Sequence, residues 1–113
     1  MAEKRTFESG ATRDTDEGKL DFEGFISSPA LLRYAEYMHE NRQMADGSTR
    51  ASDNWQSGIP DDAYMKSMWR HFFDVWLHHR GHTRLAREDK QRALCAVLFN
   101  AFGMLHEELK GDG

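Results

Sequence analysis

The 113-residue chain is short of several things, and each shortage excludes a class of function. It has one cysteine, Cys95, so no internal disulfide can form and no paired-cysteine zinc or redox site exists. Apolar runs are only a few residues long, which is too short for a membrane-spanning helix. The opening MAEKRTFESG has no apolar core, so no secretory signal is expected there and a cytoplasmic location is expected. There is no excess of basic charge. The net charge is −4, which speaks against direct nucleic-acid binding or adhesion to an anionic membrane. A glycine-rich phosphate loop, HExxH and GxSxG are all missing. What is present is 39% hydrophobic residues and 12% aromatics, enough for one small core.

The pattern predicts an all-α domain over residues 19–110, preceded by a flexible N-terminal arm, residues 1–18. That arm is polar and rich in Gly, Ser and Thr. Three main helices follow. Ser27-Ser28-Pro29 is a helix start, since serine caps free N–H groups and proline is tolerated in the first turn. Leu31, Tyr34, Ala35 and Met38 then recur at helical spacing, giving a helix over 29–43. Residues 45–58 form a polar loop with a single large aromatic, Trp55. Asp61 and Asp62 open a second helix that ends near His79 before Gly81. Its apolar set is Tyr64, Met65, Met68, Trp69, Phe72, Val75 and Trp76. A third helix is expected from residue 86 or 87 to Leu109, buried through Leu94, Val97, Leu98, Ala101, Phe102 and Leu105. Apolar faces this wide want more neighbours than three helices supply, so a homo-oligomer is expected.

Chemistry-bearing residues are scattered along these helices. Glu36 and Glu40 stand one turn apart and can converge on one cation. His71 and Asp74 share a side of the second helix, with Arg70 nearer its polar side. Each also has a bland reading, as solvated face, core histidine or surface cation. Asn100 interrupts a strongly apolar stretch and costs free energy if buried without a partner, so it faces a polar cavity or a specific hydrogen-bond partner. Glu88 and Asp89 are explained by the dipole of the third helix. Lys19, just after Gly18, can reach a phosphate.

Read together, the landmarks resemble a known family. They are Glu17-Gly18-Lys19, a helix starting near Pro29, and a loop ending Asn54-Trp55-Gln56-Ser57-Gly58-Ile59-Pro60. Ser67-Met68-Trp69-Arg70-His71-Phe72 and Ala93-Leu94-Cys95-Ala96-Val97-Leu98-Phe99-Asn100 complete the set. This is similar to the N-terminal domain of the phage dATP/dGTP diphosphohydrolase family, and more distantly to MazG-like nucleotide pyrophosphatases. The resemblance implies an all-α protein of a phage, acting in the host cytoplasm on a purine deoxynucleoside triphosphate and releasing pyrophosphate. It implies Mg²⁺ or Mn²⁺ as cofactor, held by Glu36, Glu40 and Asp74, with His71 and Asp74 catalytic. Lys19 and Arg70 would steady phosphates, Trp55 would stack on the base, and Asn100 would contact substrate. A string such as G-A-x-K-Y-G before the Asn-Trp pair is absent, and Asp89-Lys90-Gln91-Arg92 stands where relatives often carry His-x-x-His. Two alternatives stay open: a nucleotide-sequestering protein without catalysis, and a helical assembly protein.

Overall fold

The computed structural model describes residues 4–15 and 17–111, and they are mostly helical. A small antiparallel hairpin leads, β1 (Lys4–Thr6) and β2 (Thr12–Asp14), with Arg5 opposite Arg13. The short helix α1 (Phe22–Phe25) and the longer α2 (Ser28–Glu40) follow. Then come α3 (Asp61–His79) and α4 (Lys90–Gly111), which pack against each other as a helical hairpin. The sequence offered no period-2 signal for the β-hairpin. Its strands are three residues each and fully exposed where described, so no buried face imposes alternation. Of the arm expected over 1–18, residues 1–3 and 16 lie outside the described residues, as do residues 112 and 113 of the tail.

Local chemistry fixes the helix boundaries. Asp21 accepts the Gly24 N–H at 2.9 Å to cap α1, and Ser27 accepts the Ala30 N–H at 3.2 Å to cap α2. α2 stops at Glu40, three residues before the sequence-based limit. There the Asn41 side chain donates to the Tyr37 carbonyl at 2.7 Å, and Gln43 turns into a bridge with Thr49. Asp46 and Gly47 make the tip of that bridge: Asp46 accepts the Ser48 N–H at 2.9 Å, and Gly47 takes φ 88°. α3 ends in the expected glycine stop, with Gly81 at φ 83°. α4 begins at Lys90, not at residue 86 or 87. Asp89 caps it by accepting the Arg92 N–H at 2.9 Å, while the Arg87 N–H is diverted to Asp74.

The contact between α3 and α4 rests on small residues. Ala93, Ala96, Asn100 and Gly103 recur every three or four positions and are all buried. Tyr64 of α3 is 1% exposed and lies against Gly103, where a Cβ would overlap its ring. The Phe99 ring is tilted against that of Tyr64, at 6.0 Å between ring centroids. This overturns the expected core of both helices. On α4 the closest approach uses the small side chains, leaving Leu94, Leu98, Phe102 and Leu105 exposed. On α3 only Tyr64 and Asp74 are buried, while Met65, Trp69, Phe72 and Trp76 are exposed.

α2 is fastened to α4 mainly by polar and aromatic contacts. Arg33 donates to Gln91 at 3.0 Å, Arg92 pairs with Glu40 at 2.5 Å, and the Tyr34 and Phe102 rings meet at 5.7 Å. The radius of gyration is 19.6 Å, against about 13 Å for a compact chain of this length.

Substituting Gly103→Ala should destabilise the fold by about 1–3 kcal/mol through overpacking. Tyr64→Leu should cost stability alone, yet the double variant should lose less than the two single losses combined. Urea unfolding of all three variants checks that coupling.

Candidate functional site

A groove of about 910 Å³ opens between α2, the loop preceding α3, and the inner sides of α3 and α4. That volume lies within the range typical of small-molecule sites, roughly 300–1,000 Å³. Its walls are largely aromatic and apolar, with Tyr34, Trp55, Phe99 and Phe102 among them. Polar groups enter at fixed places. Arg42 and Arg50 stand on the side of the Gln43–Thr49 bridge, and Ser67, His71 and Asn100 come from the two long helices. The short 3-10 turn Asn54–Ser57 places Trp55 half-buried against α4, where its ring meets His106 edge-on at 4.8 Å. Arg42 is held by its own loop, with Nε donating to the Arg50 carbonyl at 2.8 Å.

Asn100 is buried, as its setting in an apolar stretch required. Its amide donates to the Ala96 carbonyl at 2.8 Å and to Ser67 Oγ at 3.3 Å. The expected hydrogen-bond partner and the expected cavity are therefore both present, since Asn100 and Ser67 also line the groove.

His71, Asp74 and Glu88 come together, each offering one atom within 4.8 Å of the others. Their hydrogen bonds decide what that cluster can do. His71 Nδ1 is bonded to Glu88 Oε1. The Glu88 carbonyl also receives His78 Nε2 at 2.7 Å, which pins the loop beneath α3. Asp74 is 1% exposed and accepts three bonds from Arg87: from the backbone N–H at 3.2 Å, from Nε at 3.0 Å and from Nη2 at 2.7 Å. Burial alone would push the Asp74 carboxyl up; the Arg87 hydrogen bonds and charge overcome it and hold the group below the ordinary carboxylate range.

The other sequence-nominated residues lie apart from this cluster. Glu40 is the partner of Arg92, whose guanidinium also lies over the Tyr37 ring at 5.4 Å. Glu36 is exposed on α2. Among the described residues, Glu36, Glu40 and Asp74 do not converge as a ligand set; only His71, Asp74 and Glu88 do. Arg70 and Lys19 are exposed and do not line the groove, whereas Trp55, His71 and Asn100 do. Sequence reasoning passed over Arg42, Arg50, Arg87 and Arg92, and assigned Glu88 to the helix dipole. Their roles depend on contacts 8 to 52 residues away along the chain, which no local spacing encodes.

The donor set does not suit Mg²⁺, which wants near-octahedral oxygen ligation. Asp74 is committed to a guanidinium, whose positive charge opposes a neighbouring cation, and one of the two remaining groups is an imidazole. The single thiol, Cys95, is 4% exposed and pushed up by burial, which keeps it protonated at neutral pH.

No family model, curated protein or solved structure matches this chain.

The Asp74–Arg87 pair should show an asymmetric cost. Arg87→Ala leaves a buried carboxylate unpaired and should cost about 2–3 kcal/mol. Asp74→Asn should cost less, because Arg87 is half-exposed and returns to water. The folded-state pKa of Asp74 is depressed, so its contribution is full above the unfolded value of about 3.9 and is lost as pH falls through the lower folded value. Chemical denaturation of both proteins at pH 7 and pH 3 should therefore show the stability gap between wild type and Asp74→Asn narrowing in acid.

Proposed function

We propose that the protein binds a purine nucleotide in the groove between α2, α3 and α4. The observation that carries this reading is the joining of an aromatic wall to a cationic edge in one cavity of about 910 Å³. Tyr34, Trp55 and Phe102 supply faces and edges for a base. Arg42 and Arg50 supply guanidinium forks suited to phosphate oxygens. Ser67 and Asn100 offer hydrogen-bonding groups between the two ends. The resemblance of the Asn54-Trp55 and Trp69-Arg70-His71 segments to phage dATP/dGTP diphosphohydrolases supports a purine deoxynucleoside triphosphate as ligand. In this reading Arg42 and Arg50 take the phosphate role that the resemblance implies for Lys19 and Arg70, while Trp55 and Asn100 keep theirs.

Hydrolysis to monophosphate and pyrophosphate is a second reading, favoured by one observation: His71 lines the groove and is bonded to the Glu88 carboxylate. A carboxylate bonded to one ring nitrogen of an imidazole fixes its tautomer and orientation. Any Mg²⁺ or Mn²⁺ in this scheme arrives on the triphosphate as part of the substrate, because Asp74 is bound to Arg87.

Calorimetric titration with dGTP and dATP, with and without Mg²⁺, tests binding. Saturable one-site binding is expected, and Trp55→Ala should raise Kd by about tenfold or more. Absence of binding at millimolar nucleotide overturns the proposal. Chromatography of the recovered nucleotide separates the two readings. Intact triphosphate supports sequestration, and pyrophosphate release that His71→Ala abolishes supports hydrolysis.

A further inference from the structure

The side of α3 that meets α4 is mostly polar, and its main apolar stripe faces away from α4. Tyr64, Ser67, His71 and Asp74 face α4 and the groove. At 100° per residue, Met65, Trp69, Phe72 and Trp76 fall on the far side, spaced 4-3-4 as in a helix–helix seam. These four are 44%, 66%, 49% and 46% exposed. The chain's accessible surface is 9139 Å², while a compact monomer of 13.1 kDa exposes about 6,400 Å². That excess is spread along the chain, with Leu20, Phe22, Phe25 and Leu85 also exposed, and the α3 stripe is one part of it.

The charges around the stripe identify its occupant. Asp61 and Asp62 are exposed at the start of α3, and His79 and Arg80 are exposed at its end. Among the described residues none of the four forms an ion pair. Pairing this helix with an antiparallel copy of itself, about an axis between positions 70 and 71, brings its acidic start level with its basic end. At 100° per residue Asp61 shares a flank of the stripe with His79, and Asp62 shares the other flank with Arg80, so these are the pairs that face each other. The same axis sets Met65 against Trp76, and Trp69 against Phe72. Acidic ends then meet basic ends, the two helix dipoles oppose, and the flanking charges bracket a core of aromatic rings. α4 has an open stripe too, Leu94, Leu98, Ala101 and Leu105, but Leu105 at its end lines the groove, so part of that face already belongs to the cavity.

We infer that α3 is the two-fold interface of a homodimer, in which it packs antiparallel against α3 of a second copy. This extends the expectation of self-association to a defined helix, axis and set of ion pairs, and it is independent of what the groove binds.

Sedimentation equilibrium of the full chain, without nucleotide, tests it. The wild-type protein should sediment at twice 13.1 kDa. Trp69→Glu should raise the dimer Kd at least about 30-fold while far-ultraviolet circular dichroism stays helical. The decisive set uses exposed charges at the two ends of α3, with circular dichroism confirming the fold of each variant. Asp62→Arg and Arg80→Asp should each weaken the dimer about fivefold, and the double variant should restore it. The two positions lie about 27 Å apart along one helix, so rescue can only occur between copies. A monomer at 100 µM chain overturns the inference, as does a dimer indifferent to the Asp62 and Arg80 changes or one weakened further by combining them.

Discussion

The close approach of α3 and α4 is the constraint from which the remaining geometry follows. It depends on a ring lying where a side chain would otherwise be: Tyr64 occupies the space that Gly103 leaves open. With Ala93 and Ala96 equally small, the two helix backbones come near enough for Asn100 to reach Ser67 and for Asp74 to reach the chain beyond the turn. Tight approach through small residues buries little apolar area, so this core is narrow. Polar contacts such as Asp74–Arg87 and His71–Glu88 then fasten the ends of the hairpin.

Among the described residues Asp74 is at once the most buried charge and the anchor of the turn between α3 and α4. Through three bonds from one arginine it fixes the loop that carries Glu88 to His71. The groove wall at His71 is thus set by an ion pair that is itself turned away from the groove, since neither Asp74 nor Arg87 lines it. This division of labour explains why a carboxylate with the sequence profile of a metal ligand serves as a structural group. A cation beside it would have to displace a guanidinium held by both charge and hydrogen bonds.

Much of the fold was legible in the sequence. Serine and proline marked the start of α2, paired aspartates marked α3, and glycine marked its end, because caps and stops act within a few residues of themselves. The faces were harder. Hydrophobic periodicity places an apolar stripe on a helix but does not say which of two stripes meets its neighbour. On α3 the aromatic side Met65-Trp69-Phe72-Trp76 is open, and on α4 the small-residue side is the one used. Asn100 announced itself as a polar residue in an apolar run, and it does line a cavity with a bonded partner. Trp55 stood out in the same way. Glu40 and Arg92 could not be matched in advance, because a salt bridge across 52 residues leaves no mark on local spacing.

Cys95 has a consequence of a different kind. Its sulfur lies on α4, enclosed and with its proton held more tightly by burial. Alkylating reagents therefore reach it only when neighbouring elements part, so the speed of labelling becomes a clock for transient opening of the helical core. The chain carries its own reporter of breathing motions, with no second thiol to confuse the signal.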